Sequence, residues 1–264
     1  MTHLQRLREF RRRLVIKYGR YLLQALDRFL GRQSLIGDAP VFEASWFPWV
    51  KTLEDNWRVI RAELDSVLKV REHVPAFHEI SPDQERISKG DNWKTFVLYG
   101  FGRRAERNSR RCPQTARVLE TLPGLQNAWF SILAPGYHIP PHRGVTKGVI
   151  RCHLGLIVPE ERERCVIRVD NQIRQWEEGK CLLFDDTYEH EVWNNTDQER
   201  AVLFLDIERP LRLPGRLVSK ALLQALQWTA YVKDARNNLA TWEDRFEAAV
   251  QRAEAFQIEP DSKD

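Results

Sequence analysis

The chain has 264 residues, of which 42% are hydrophobic and 30% charged, with a net charge of +4. That suits one generous domain, or one domain with helical extensions, that buries a core and keeps a charged surface. The small charge excess gives no nucleic-acid footprint, and no run of eighteen apolar residues occurs, as a membrane-spanning helix would require. Apolar residues near the N-terminus are interrupted by Lys17, Arg20 and Asp27, so no secretory signal is expected. A cytoplasmic setting and reduced thiols at Cys112, Cys152, Cys165 and Cys181 follow.

In chain order, Leu7, Phe10, Leu14, Tyr18, Tyr21, Leu22, Ala25 and Phe29 recur at three- and four-residue steps and predict a helix over 3–31. That helix is basic, with Arg6, Arg8, Arg11, Arg12, Arg13, Lys17, Arg20, Arg28 and Arg32 set against Glu9 and Asp27. A connector over 33–48 leads to a second predicted helix, Thr52–Lys69. From Trp93 onward short apolar runs alternate with turn residues. Strands are predicted at Phe96–Tyr99, Ala128–Leu133, His153–Val158, Cys165–Val169, Cys181–Phe184, Glu191–Trp193 and Ala201–Ile207, with one helix at Cys112–Leu122. Many short strands at roughly ten-residue spacing predict a β-sandwich or jelly-roll. The helical period returns in Leu217–Val232 and Leu239–Arg252. The expected organisation is a basic helical extension over 1–45, a jelly-roll domain with its leading helices over 46–210, and a C-terminal helical extension over 211–264. The fold class is α+β, mainly β with flanking helices.

Two histidines, His142 in Pro140-Pro141-His142-Arg143-Gly144 and His190 in Phe184-Asp185-Asp186-Thr187-Tyr188-Glu189-His190, fall at edges of predicted strands. A jelly-roll can bring such strand ends together, and neutral imidazoles suit a ferrous ion with open positions. Alone, the pair fits structural histidines bonded to backbone better than it fits metal ligands. His138 forms an HxxxH spacing with His142, but Pro135, Gly136, Pro140 and Pro141 argue against a helix there, so His138 is expected in a loop.

The stretch from about Trp93 to Pro210 resembles the aspartyl/asparaginyl β-hydroxylase family of 2-oxoglutarate dioxygenases. The resemblance lies in Phe130-Ser131-Ile132-Leu133-Ala134-Pro135-Gly136, His142-Arg143-Gly144, Arg151-Cys152-His153-Leu154-Gly155-Leu156, Trp176-Glu177-Glu178-Gly179-Lys180, the segment Phe184–Asn194, and Arg200 leading into Asp206 and Arg209-Pro210. It implies a double-stranded β-helix core of the cupin type. It also implies an enzyme that binds Fe(II) on His142 and His190, with 2-oxoglutarate and O2 as co-substrates, and hydroxylates an unactivated C–H.

Wider relatives of that family place a carboxylate two residues after the first histidine. Here that position is Gly144, as in the animal aspartyl hydroxylases, with water in the vacant ligand position. Asp186 then becomes a candidate acceptor for that water. By the same resemblance Arg200 and Ser131 hold the distal carboxylate of 2-oxoglutarate, while Arg151 and His153 hold the carboxylate that chelates iron. Arginine suits this task because its planar fork grips a carboxylate and keeps its proton. Arg151 and His153 differ by two and so share one face of a strand. Trp93, at the head of the stretch, is a candidate substrate contact.

The resemblance leaves the substrate open between a peptidyl or amino-acid side chain, as the family name suggests, and the acyl chain of a membrane lipid. A third alternative is an inactive jelly-roll that serves as a binding scaffold. A second basic amphipathic segment bears on this: Arg209, Arg212, Arg216, Lys220 and Lys233 mix with Leu211, Leu213, Leu217, Leu222, Leu223, Leu226 and Trp228, with no acid before Asp234. Such helices either pack on the core or lie on an anionic membrane. The second case would make the protein peripheral on the inner face of a membrane.

Overall fold

The computed structural model describes residues 21–258. Most of the helix expected over 3–31 therefore lies outside the described residues. Its last part is helical over 21–33, here α1, and ends in a bridge between Ser34 and Leu211.

Among the described residues the strands are β1 (Val41–Phe42), β2 (Trp93–Gly100), β3 (Arg103–Arg104), β4 (Leu125–Leu133), β5 (His138–His142), β6 (Val149–Ile157), β7 (Cys165–Val169), β8 (Gln172–Gln175), β9 (Cys181–Phe184), β10 (His190–Asn194) and β11 (Arg200–Glu208). They form two antiparallel sheets, one in the order β1-β9-β6-β11-β4-β2-β3 and one in the order β5-β10-β7-β8. The jelly-roll core is thus present, with every predicted strand inside an observed one or displaced from it by a residue. All four cysteines are free.

Alternation along the strands sorts the interior into two layers. Ala201, Leu203, Leu205 and Ile207 of β11, with Ile150, Cys152, Leu154 and Leu156 of β6, face an apolar core roofed by helices. The roof is α2 (Pro48–Asp55), α3 (Trp57–Leu68), α6 (Pro113–Glu120) and α8 (Ala230–Ile258). Leu53, Ile60, Leu64, Leu119 and Phe246 supply much of its apolar surface. Val202 and Phe204 point the other way, into a second core between the sheets with Trp93, Leu133, Ile167, Val169, Trp176, Phe184 and Val192. The β4–β11–β6–β9 registers set these inner residues in cross-strand rows. One row holds Phe184, Arg151, Asp206 and Asn127, and the next Leu182, His153, Phe204 and Trp129. Gly155, Val202 and Ser131 follow, and then Arg200 opposite Leu133.

Three expectations need correction. The single helix predicted over Thr52–Lys69 is two, because Asn56 leaves the helical ladder and its Nδ2 donates to the Thr52 carbonyl at 2.8 Å. The predicted Cys112–Leu122 helix is α6, preceded by a separate short helix, α5 (Glu106–Arg111). His138, expected in a loop, opens β5. The prolines, which argued against a helix, are tolerated in this strand because β5 is the edge of its sheet, where missing N–H donors face no partner. The His138 ring stacks on Trp193 with centroids 5.1 Å apart and its Nε2 lies 3.1 Å from a Glu191 oxygen, which occupies it structurally.

Candidate active site

His142 ends β5 and His190 begins β10, and the two are directly paired across the strands. Their ring centroids lie 4.1 Å apart with planes inclined at 53°. In each, Nδ1 bonds a carbonyl two residues earlier, at 2.8 Å to Pro140 for His142 and 3.0 Å to Tyr188 for His190. A carbonyl can only accept, so both Nδ1 atoms carry the proton and both Nε2 atoms keep a lone pair, the tautomer a metal ligand needs. Burial holds both rings neutral. It pushes His142 down to about 4 and His190 well below its ordinary value, against the opposing pull of those carbonyl bonds.

Gly144 lies two residues beyond His142, and a Cβ there would collide with the carboxylate of Asp186. The space a ligating side chain on residue 144 would use is already filled by an acid from another strand end. The Gly144 N–H donates to the Asp186 carbonyl at 2.7 Å. Arg151 Nη2 bridges Asp186 Oδ2 at 2.8 Å, while Oδ1 is buried with no partner. Burial lifts the Asp186 carboxyl to about 7, opposed by the Arg151 charge. Arg151 also donates from Nε to Asp206 at 3.0 Å and lies over the Phe204 ring, so its fork binds two protein carboxylates. Among the described residues no group of three or more His, Cys, Asp or Glu side chains is placed to hold a metal. The protein thus offers a metal two imidazoles, with the Asp186 oxygen beside them.

Deeper between the sheets sits Arg200, 1% exposed. Its guanidinium lies 4.7 Å from the Trp176 ring centroid, Nε and Nη1 are buried without partners, and burial lowers its pKa to about 10. No carboxylate of the described residues pairs with it. His153 lies in the row nearer the two imidazoles. Trp176 Nε1 donates to His153 Nδ1 at 3.3 Å, which leaves the proton on Nε2, and that atom too is buried and unpartnered. Ser131 Oγ accepts from Trp93 Nε1 at 2.9 Å, so the hydroxyl hydrogen remains available to donate. Buried donors are normally satisfied. A guanidinium, an imidazole N–H and a hydroxyl facing one interior space fit an anion such as a carboxylate. Thr95 Oγ1 and Trp129 Nε1 are buried and unpartnered beside Ser131. Neither was singled out from sequence, since only the register brings them there.

A sequence profile described as "Aspartyl/Asparaginyl beta-hydroxylase" matches residues 54–210. The chain belongs to the aspartyl/asparaginyl β-hydroxylase family. An "Ornithine lipid ester-linked acyl 2-hydroxylase" of Rhizobium tropici is 47% identical over 225 residues, 85% of this chain and 79% of that protein. The human "Aspartyl/asparaginyl beta-hydroxylase" is 37% identical over 177 residues, 65% of this chain but 22% of that much longer protein. Among solved structures, the Schizosaccharomyces pombe Cnp3 cupin domain aligns with a TM-score of 0.30 at 9% identity, over 44% of this chain and 64% of that one.

In this member of the family the turn that delivers Asp186 and His190 is itself anchored. Asp185, fully buried, takes hydrogen bonds on Oδ1 from the Thr187 amide at 3.0 Å and the Thr187 hydroxyl at 2.6 Å. Its Oδ2 is ion-paired with Lys147 at 2.8 Å and with Arg209. Lys147 also reaches Asp38, and its amide donates to Asp27 of α1. From sequence Asp185 was only part of a motif and Arg209 was also counted in the second basic amphipathic segment, whereas the structure buries Arg209 against Asp185 and removes it from that surface. Their pairing across the chain is visible only in the fold.

Proposed function

We propose that this protein is an Fe(II)- and 2-oxoglutarate-dependent hydroxylase that acts on an unactivated C–H in the acyl chain of a membrane lipid. The observation that carries the cofactor reading is Arg200, a buried guanidinium with two unpartnered nitrogens and no carboxylate of its own, in the same interior as two neutral, Nε2-free histidines. In a scaffold without chemistry such a cation would cost several kcal/mol with nothing to offset it.

His142 and His190 would hold iron through Nε2. The unpartnered Oδ1 of Asp186 would accept a hydrogen bond from water beside the metal, while Arg151 holds that carboxylate in place. Arg200 and Ser131 would grip the distal carboxylate of 2-oxoglutarate, with Trp93 orienting the Ser131 hydroxyl, and His153 would donate from Nε2 to the near end. Bound together, iron, 2-oxoglutarate and dioxygen supply the oxidising power to replace C–H by C–OH, releasing succinate and carbon dioxide. Phe184, Phe204, Trp129 and Trp176 enclose the interior, which excludes water and fixes the co-substrate's orientation.

For the substrate, the Rhizobium tropici match extends over more of the chain than residues 54–210 and so takes in flanking helical segments. A relative named for a lipid acyl chain supports that class above the peptidyl side chain placed first on the resemblance alone. The test is succinate release by anaerobically Fe(II)-loaded protein, given oxygen and 2-oxoglutarate with a lipid extract, and mass spectrometry of the lipids. Turnover that is lost in His190→Ala, with one oxygen added to an acyl chain, is the expected result. No succinate under any condition would defeat the dioxygenase reading, and oxygen added to Asp- or Asn-bearing peptides with lipids untouched would defeat the lipid one.

A further inference from the structure

The helix after the jelly-roll, α7 (Leu213–Gln227), packs against the body the wrong way round for an ordinary surface helix. Its buried residues are Gly215 and Ser219. A Cβ on Gly215 would press on the Gln33 side chain, and Ser219 Oγ sits against Gly148. Leu213, Leu217 and the following Trp228 point outward, at 59%, 61% and 81% exposed, while Val218, Leu222, Leu223 and Leu226 are half-buried against the body. Leu213, Leu217, Ala221 and Trp228 recur along one exposed stripe, interrupted by the polar Gln224. Soluble helices bury such a stripe, and an exposed one marks an interaction site.

Arg212, Arg216 and Lys220 are exposed in a second row beside it. Among the described residues no ion pair engages these three, and no acid occurs between Glu208 and Asp234. The surface continues toward the active site. Leu35, 62% exposed, donates its amide to the Pro210 carbonyl. Val145, 55% exposed, lies in the loop that runs from His142 to Gly148 under α7.

We infer that the outward face of α7, with Leu35 and Val145, docks this protein on an anionic lipid bilayer and turns the loop that follows His142 toward it. Charge complementarity selects this occupant. Leucine and tryptophan enter the headgroup boundary while the arginines and lysine meet lipid phosphates. A second copy would set the same basic rows against one another. Residues 1–20 carry Arg6, Arg8, Arg11, Arg12, Arg13, Lys17 and Arg20 against Glu9, the same sign, and so add to the attraction for an anionic surface. No helix of the described residues is long and apolar enough to cross a membrane, and docking needs none. The inference rests on the proposed lipid substrate for its purpose, yet its test is independent of turnover.

The full chain is floated with phosphatidylcholine vesicles and with vesicles that also contain phosphatidylglycerol. Stronger binding to the anionic vesicles, weakened by salt, is expected. Arg212→Gln with Arg216→Gln should lower partition roughly 25-fold, about fivefold per charge, and Leu217→Asp roughly tenfold or more. These side chains are exposed, so thermal midpoints should match the parent. Retained hydroxylation of detergent-solubilised lipid by Leu217→Asp, with loss on vesicles, supports docking. Equal binding of parent and variants, no preference for anionic vesicles, or a dimer in ultracentrifugation that Leu217→Asp dissociates would overturn it. Absent succinate in every assay would defeat the hydroxylase reading while the flotation result still decides the docking.

Discussion

The strand β11 begins with one buried arginine and is followed at once by another, and the two ends meet opposite conditions. Arg209 is closed by Asp185, with further bonds from Nη1 to Ser34 Oγ at 3.4 Å and the Gly37 carbonyl at 3.3 Å. Arg200 has an aromatic face beside it and no anion. A cation whose partner is built into the chain is structural. A cation kept dry without one is held for something that arrives. The same contrast separates the two cores: on the helix-roofed side of the large sheet the buried polar groups Lys94, Asn108, Ser109 and Thr115 each find a partner in the chain, while the space between the sheets mixes Trp, Phe and Val with unpartnered polar atoms.

The largest effect that would test this comparison is expected from Arg209→Met. It leaves the buried Asp185 carboxylate with Lys147 as its one cationic partner and should cost about 3–5 kcal/mol in urea unfolding, with the His190 turn loosened as a result. Arg200→Met should do the reverse. The metal-free protein should unfold no earlier than the parent, because an unpaired buried cation is removed, while the dissociation constant for 2-oxoglutarate rises roughly 100-fold, read by calorimetry. If Arg200→Met instead destabilises as Arg209→Met does, with co-substrate affinity intact, the contrast fails.

A pH series on metal-free protein sharpens the picture of the imidazole pair. Between pH 6.5 and about 4 the unfolded chain takes up a proton that buried His142 refuses, so stability complete above 6.5 is lost as pH falls. The depression from 6.5 to about 4 corresponds to roughly 3 kcal/mol at most. Asp186 acts in the opposite sense, since its folded carboxyl accepts a proton near 7 and the unfolded one near 3.8. Comparing the parent with His142→Gln isolates the ring: the variant should lack its acid-side fall, and identical profiles would refute the buried-neutral assignment. The smallest effect belongs to Trp93→Phe. Loss of its hydrogen bond to Ser131 should cost about 1 kcal/mol, seen as a several-fold rise in KM for 2-oxoglutarate with kcat nearly unchanged. A fall in kcat alone would instead assign Trp93 to the hydroxylated substrate.

Much of the core was legible because alternation and turn residues are local signals. Ala201, Leu203, Leu205 and Ile207 announce a strand wherever they occur. The β5 strand was illegible for the opposite reason: Pro140 and Pro141 forbid a central strand, and nothing local says that this segment lies at a sheet edge. The histidines and Arg200 were picked out by motif, whereas Thr95 and Trp129 entered the site only through their register beside Ser131.

By itself the sequence determined the class of fold, the candidate residues for a metal and a dicarboxylate, and the presence of two basic amphipathic segments, since each depends on residue type and short-range spacing. The tertiary structure decided which partner each charge finds and which helix face is left uncovered. Arg151 is taken by Asp186 and Asp206, Asp186 fills the space above Gly144, and α7 turns Gly215 and Ser219 inward with Leu213 and Leu217 outward. Those outcomes depend on distances between residues far apart in the chain, and a one-dimensional pattern carries no such distances.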